Sequence, residues 1–151
     1  MSDDFIVIVP GDPTHVPSEG TQLQVSVLLR RFAPSADSIT SNVETAVQFY
    51  DCGGNFERIF CPHCRSDITI DWWQECMDAD FNGEGFRLGN FETPCCHALI
   101  NLNALIYDWP QAFGSFSWTM QNANIGELTE GVKAEIEAAV GVPIVVIHQH
   151  V

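Results

Sequence analysis

Two short cysteine clusters constrain this chain more than any other feature of its sequence. The first is Cys61-Pro-His-Cys64, and the second, Cys95-Cys96, follows about thirty residues later. Two thiolates separated by two residues and a tight turn can both reach one tetrahedral ion. A second thiol cluster at this distance is typical of a zinc site. We therefore predict that these four cysteines bind one zinc ion.

Two residues are candidates for the fourth ligand. When Thr93-Pro-Cys-Cys96 is aligned with the first cluster, the proline and the final cysteine of each coincide, and Thr93 occupies the position of the other cysteine. The fourth ligand must therefore come from elsewhere, and Cys95 offers the nearest thiol. His97 is the alternative, through an imidazole nitrogen.

Over residues 56–102 these clusters resemble the knuckles of zinc-ribbon domains. The chain is also similar to small uncharacterised bacterial proteins that carry a Cys-Pro-x-Cys knuckle followed by Pro-Cys-Cys. That resemblance supports the fold and implies no established activity. Four filled positions leave no open site for water, so we predict a structural rather than a catalytic zinc.

The beginning of the chain and its hydropathy predict a cytoplasmic protein. The first ten residues contain no basic segment, and their apolar run is too short for a signal peptide. No stretch approaches the roughly 18 apolar residues that a transmembrane helix requires. Cysteines stay reduced in the cytoplasm, so we expect the six in this chain to bind metal or remain free rather than form a disulfide framework.

The segments outside the cysteine region follow the order strand, helix, strand, repeated once. Ser18 and a helical apolar stripe predict the first helix, which Pro34 ends, whereas Asn124 and Glu127 have the spacing of a capping box for the second. This order is typical of an α+β, ferredoxin-like split βαβ core (β-α-β-β-α-β). The predicted strands are 5–9, 42–51, 113–120 and 144–148.

We accordingly divide the chain into a core and an insertion. Residues 1–51 and 102–151 form the predicted α+β core, and residues 52–101 form the predicted zinc-binding, ribbon-like insertion. Within and beside the insertion, the patterns predict a helix over 71–80 and strands over 86–92 and 105–109.

A second metal motif is incomplete. Asp78, Asp80 and Asn82 match the first half of a calcium-binding loop, followed by Gly83. Gly89 stands where a bidentate glutamate should complete the coordination. The alternative interpretation is an acidic helix end followed by a glycine turn.

Four other residues could carry chemistry. His148 and His150 lie two residues apart and would share one face of a strand, which is half of a metal site or simply a polar terminal strand. Cys52 and Cys76 have no cysteine partner nearby, and a buried thiol is the default interpretation. Cys52 beside a histidine would be the best candidate for a thiol enzyme.

The charge of the chain is strongly acidic. Twenty Asp and Glu face six Lys and Arg, giving a net charge of −14. This disfavours nucleic acids and anionic membranes and favours a basic protein partner. Many of the carboxylates fall in the insertion, where they could form a docking surface: Asp67, Asp71, Glu75, Asp78, Asp80, Glu84 and Glu92.

Three functions follow from these patterns. The first is a non-enzymatic, zinc-stabilised protein that binds a basic protein, for example an immunity protein that neutralises a basic toxin. The second is a nucleic-acid-binding zinc ribbon, which the knuckles favour and the charge opposes. The third is a small metal- or thiol-dependent enzyme, which would require an open metal position or an activated cysteine.

Overall fold

The computed structural model describes residues 3–150, which form a mixed α+β structure with three α-helices. The helices are α1 (Glu19–Phe32), α2 (Ile70–Asp80) and α3 (Glu130–Val140). The strands are β1 (Asp4–Pro10), β2 (Ser38–Tyr50), β3 (Ile59–Phe60), β4 (Asp67–Ile68), β5 (Phe91–Glu92), β6 (Leu99–Ile100), β7 (Ile106–Tyr107), β8 (Ala112–Gln121) and β9 (Ile144–His150). Within residues 3–150, no helix is long and apolar enough to cross a membrane.

The four long strands form one antiparallel sheet in the order β2-β8-β1-β9. Successive side chains of a strand point to opposite faces, so β1 contributes Ile6 and Ile8 to one face and Val7 and Val9 to the other. Helices α1 and α3 cover the first face. The core there includes Ile6, Ile8, Val25, Leu29, Phe116, Trp118, Met120, Ile136 and Val140.

The sequence signals for α1 correspond to its observed structure. Ser18 caps the helix by accepting a hydrogen bond from the amide of Thr21, as its position before the apolar stripe predicts. Val25 and Leu29 lie on the buried face. The helix ends at Phe32, two residues before the proline.

The predicted start of α3 is wrong. Thr129, not Asn124, is the N-cap, and its hydroxyl accepts a hydrogen bond from the amide of Val132 at 3.2 Å. Asn124 lies in a preceding turn in the left-handed region, with φ 58°. The predicted end of the helix is correct, because Gly141 adopts the left-handed C-cap conformation with φ 87°.

A second structural unit lies between β2 and β8. Strand β3 pairs with β4 and with β7, β5 pairs with β6, and α2 follows β4. The small sheet therefore extends to Tyr107, beyond residue 101. One apolar cluster joins the unit to β8 through Phe113, and it also contains Ile59, Cys61, Ile68, Trp73, Cys76, Met77, Ile100, Leu102 and Leu105.

Two predicted strands are shorter than expected. The strand predicted over 86–92 is restricted to Phe91–Glu92, and the one predicted over 105–109 to Ile106–Tyr107. Residues 87–90 instead form a loop held by Asp80, whose carboxylate accepts from the amides of Leu88 and Gly89. Phe86 forms an isolated bridge with Phe81. Leu88 has φ 53°, which a continuous strand does not permit.

Candidate metal centre

The first knuckle is a tight turn between β3 and β4. The amide of Cys61 donates to the carbonyl of Ser66 at 2.9 Å, and the amide of Arg65 donates to the carbonyl of Cys61 at 3.0 Å. Arg65 has φ 66°, in the left-handed region. This turn brings Cys61 and Cys64 to the same side of the backbone.

The second knuckle, between β5 and β6, repeats the same backbone pattern. The amide of Thr93 donates to the carbonyl of Ala98 at 2.9 Å, and the amide of His97 donates to the carbonyl of Thr93 at 3.0 Å. His97 has φ 59°, matching the left-handed Arg65 of the first knuckle. Thr93 therefore occupies the place of Cys61, as the sequence alignment of the two clusters predicts.

The four cysteine sulfurs of the two knuckles meet in one cluster. The Sγ atoms of Cys61 and Cys96 are 3.7 Å apart, those of Cys64 and Cys95 are 3.4 Å apart, and all four lie within 4.8 Å of one another. Tetrahedral coordination at a Zn–S distance of about 2.3 Å places sulfurs about 3.8 Å apart. The cluster is therefore compatible with a bound metal ion such as zinc.

Hydrogen bonds from the first knuckle favour the thiolate forms of its cysteines. The hydroxyl and amide of Ser66 lower the pKa of Cys64 to about 6. Burial raises the pKa of Cys61, but hydrogen bonds from the amides of Cys64 and His63 outweigh that effect and hold it below its usual value. Ser66 is not among the residues that the sequence patterns indicate, although a hydroxyl two residues after a knuckle cysteine is a usable signal.

Cys95 behaves in the opposite way. Desolvation and the hydrogen bond in which it shares a proton with Cys64 raise its pKa to about 11. A bound divalent cation would replace such shared protons, since metal binding to thiols releases them.

The side chain of His97 lies away from the sulfur cluster. Its Nδ1 is 3.1 Å from a carboxylate oxygen of Glu92, and the side chain is 75% exposed. Cys95 lies 3.4 Å from Cys64 across the two knuckles. The geometry therefore favours Cys95 over His97 as the fourth ligand, while the complete ligand set remains a prediction.

Thr93 supports the cluster without being one of its thiols. The residue is fully buried, at 0% exposure, and its hydroxyl accepts from the amide of Ala98 at 3.1 Å. The same hydroxyl lies 3.4 Å from the Sγ of Cys96 and can donate its proton to that sulfur. A charge-neutralising hydrogen bond of this kind stabilises a metal-bound thiolate.

The side chains of the incomplete calcium motif are occupied by hydrogen bonds within the protein. Both carboxylate oxygens of Asp80 accept backbone amides at 2.9 Å, and the side-chain oxygen of Asn82 accepts two amides of its own turn at 3.0 Å. Asp78 accepts from Gln74. Within residues 3–150, the four cysteines are the one group of at least three His, Cys, Asp or Glu side chains with metal-ligand spacing.

The two remaining cysteines are buried and unactivated. Burial raises the pKa of both Cys52 and Cys76, which disfavours their thiolate forms. The histidine pair predicted on β9 does not converge on a metal either, because Nδ1 of His150 pairs with the carboxylate of Asp4. His148 lies beside them in a shallow surface cavity.

Helix α2 exposes an acidic face. Asp71, Glu75 and Asp78 are all exposed and are spaced i, i+4, i+7, which places them on one helix face. In the described part of the chain, none of the three forms an ion pair. The opposite face of α2 contributes Trp73 and Met77 to the apolar cluster that contains Cys61.

Comparisons with protein-family models, curated proteins and solved structures found no match to this chain. The resemblance to zinc ribbons therefore rests on the paired knuckles and their four clustered thiols.

Proposed function

We propose that this chain is a non-enzymatic, acidic protein whose structural zinc ion supports a docking surface for a basic protein partner. The observation that carries this proposal is the arrangement of α2, which packs through one face into the apolar cluster that contains Cys61 and exposes Asp71, Glu75 and Asp78 on the other. The metal centre and the acidic face thus belong to one unit.

The proposed scaffold is a ferredoxin-like split βαβ core that carries this unit as an insertion. The two β-α-β halves, β1-α1-β2 and β8-α3-β9, support this assignment. The sheet order β2-β8-β1-β9 interleaves the two halves, and both helices cover the same face. This is the arrangement expected for the fold.

The ligand chemistry supports a structural role for zinc. Four thiolates fill a tetrahedral shell and leave no position for water. The unit between β2 and β8 has few residues and very short strands, so its own apolar core is small. In zinc-finger peptides, binding supplies roughly 10–16 kcal/mol of apparent free energy, enough to fold such a unit.

Metal analysis of untagged protein tests the zinc assignment. The expected result is one zinc ion per chain in the parent protein and in His97→Ala, and loss of zinc in Cys95→Ser, because Cys95 supplies the fourth thiolate. Loss of zinc in His97→Ala alone would transfer that role to the imidazole. A parent protein without zinc would contradict the assignment.

Electrostatics supports the choice of a basic partner. At a net charge of −14, the protein attracts cationic surfaces, and three unpaired carboxylates on one helix face concentrate that attraction. Screening acts over about 8 Å at physiological ionic strength, so association should weaken as salt rises. An immunity-type inhibitor of a basic toxin is the concrete form of this proposal.

A pull-down from the native host compares two variants of equal charge. One variant neutralises the α2 face, with Asp71→Asn, Glu75→Gln and Asp78→Asn. The control neutralises three exposed carboxylates elsewhere, with Glu44→Gln, Glu127→Gln and Glu135→Gln. We expect basic proteins to be retained by the parent and by the control and to be lost by the α2 variant.

If the two variants retained basic proteins equally, docking on α2 would be contradicted, because net charge alone would then explain the interaction. Recovery of chaperones alone at low salt would argue against a specific partner. Binding of DNA or RNA that weakens steeply with salt would favour the nucleic-acid alternative instead.

A further inference from the structure

The two knuckles contribute unequally protected thiols to the metal centre. Cys61 is fully buried at 0% exposure, whereas Cys64, Cys95 and Cys96 are exposed. The difference originates at Thr93, which is also fully buried and occupies the place of Cys61 in the second knuckle. The second knuckle therefore lacks a buried thiol, and both of its thiols, Cys95 and Cys96, are exposed.

Two of the three exposed cysteines form a pair that spans the two knuckles. The Sγ atoms of Cys64 and Cys95 lie 3.4 Å apart, closer than the 3.7 Å between Cys61 and Cys96. Thiol oxidation is selective for exposed cysteines that have a second thiol within reach. Cys64 and Cys95 satisfy both conditions, and of the two sulfur pairs at hydrogen-bonding distance theirs is the one without the buried Cys61.

We propose that Cys64 and Cys95 form a peroxide-sensitive modification site, at which oxidation to a disulfide releases the zinc ion. This proposal rests on the zinc binding proposed above and adds a regulatory role to the same centre. The oxidant is hydrogen peroxide or another two-electron hydroperoxide.

The reaction balances in two steps. The thiolate of Cys64 attacks one peroxide oxygen, the O–O bond breaks, hydroxide leaves, and a sulfenic acid forms on Cys64. The thiolate of Cys95 then attacks that sulfur, the S–S bond forms, and the S–O bond breaks with loss of a second hydroxide. Two sulfurs lose two electrons in total, and the peroxide gains them.

Protons and metal balance as well. Two protons convert the two hydroxides to water, and two more protonate Cys61 and Cys96 as the zinc ion leaves. Two thiols cannot hold zinc in a closed tetrahedral site, which requires four ligands. A dithiol reductant reverses the reaction by thiol–disulfide exchange and allows zinc to bind again.

The test begins with the zinc-loaded parent protein, whose zinc content is measured before peroxide is added. Hydrogen peroxide is then added in the presence of a chromogenic zinc chelator, and released zinc is followed with time. The expected result is one zinc ion released per disulfide formed, with recovery after dithiothreitol and zinc are supplied.

Peptide mapping identifies the bond independently of any variant. Trypsin cleaves after Arg58, Arg65 and Arg87, so Cys64 lies in peptide 59–65 and Cys95 in a later peptide that begins at residue 88. A Cys64–Cys95 disulfide joins the two peptides, and fragmentation assigns the sulfurs. Bonds within either peptide, or between Cys61 and Cys96, would overturn the proposal.

A ligand-shifted variant provides the matched control. Thr93→Cys with Cys95→Ser moves the fourth thiol from the exposed position to the buried one, and retains four cysteines near the ion. Because susceptibility follows thiol exposure, we expect this variant to release zinc at least about tenfold more slowly than the parent. Equal release rates in the two zinc-loaded proteins would overturn the proposal.

The zinc measurement separates the two hypotheses. A parent protein that contains no zinc before oxidation contradicts the proposed zinc site, and this proposal with it. A parent protein that binds zinc and retains it in peroxide contradicts the modification site alone.

Discussion

Two buried polar side chains, Asp80 and Thr93, stabilise the loops before and after β5, the strand that leads into the second knuckle. Thr93 accepts the amide of Ala98 inside the knuckle, and Asp80 accepts two amides of the loop that leads to β5. Asp80 is only 3% exposed. A buried carboxylate is costly unless hydrogen bonds satisfy it, so these bonds make Asp80 a structural residue.

Replacing Asp80 should therefore be destabilising. Asp80→Ala removes two charge-assisted hydrogen bonds and leaves the amides of Leu88 and Gly89 without their partner, so we expect the free energy of unfolding to fall by about 3 kcal/mol. Urea denaturation measures this change. Asp78→Ala is the control, because Asp78 is exposed and should change stability by less than about 0.5 kcal/mol.

The same proteins test the calcium interpretation. Since the oxygens of Asp80 already accept backbone amides, added calcium chloride should leave the Tm of the parent unchanged. A calcium-dependent rise in Tm that disappears in Asp80→Ala would restore the calcium site.

The sequence predicted which thiols meet but could not settle how the neighbouring side chains are oriented. Matching one knuckle with the other correctly identified Thr93 as the counterpart of Cys61, because local backbone hydrogen bonds repeat with the motif. The choice between Cys95 and His97 depends on the direction of each side chain. The left-handed backbone at His97 and the carboxylate of Glu92 determine that direction, and neither can be read from spacing.

At the scale of elements, the α3 boundary is decided by competition between two polar caps. Asn124 and Glu127 have capping-box spacing, but Thr129 lies five residues later and directly precedes Glu130, an acidic residue in the first turn. A carboxylate there interacts favourably with the helix dipole. Asn124 instead adopts the left-handed conformation that asparagine tolerates, and its side chain donates to the carbonyl of Asn122.

This assignment predicts unequal effects of mutation at the two candidate caps. Thr129→Ala removes the hydroxyl that accepts the amide of Val132, and should lower the free energy of unfolding by about 1 kcal/mol. Glu127→Gln, which alters the predicted capping box, should change it by less than about 0.5 kcal/mol. Thermal denaturation of the two variants compares them directly, and a larger loss in Glu127→Gln would restore the sequence-based boundary.

Strong local patterns were reliable for β1 and α1, whereas the short strands depended on tertiary contacts. The continuous apolar run of β1 and the capped stripe of α1 carry their own signals, and both elements formed as predicted. Phe86 and Leu88 also alternate like strand residues. The amide of Phe86 instead donates to the carbonyl of Val47, and Leu88 is held in a loop by Asp80, eight positions away in sequence.

At the scale of the whole molecule, two of the apolar cores differ in their relation to the proposed metal centre. The core beneath α1 and α3 is formed by the long strands and includes Phe116 and Trp118. It contains none of the four clustered cysteines. The second core contains Cys61 itself and connects to the main sheet through Phe113. Loss of the metal should therefore affect one core far more than the other.

Removing zinc should accordingly unfold the metal unit and preserve the main sheet. Amide hydrogen exchange, measured with and without a zinc chelator, should lose protection in β3, β7 and α2, because metal binding supplies much of the folding free energy of such a unit. Protection should persist in β1, β8 and β9, whose antiparallel pairing does not involve the knuckles. Uniform loss across the chain would mean that the two cores fold as one cooperative unit, and unchanged protection would show that the metal does not stabilise the fold.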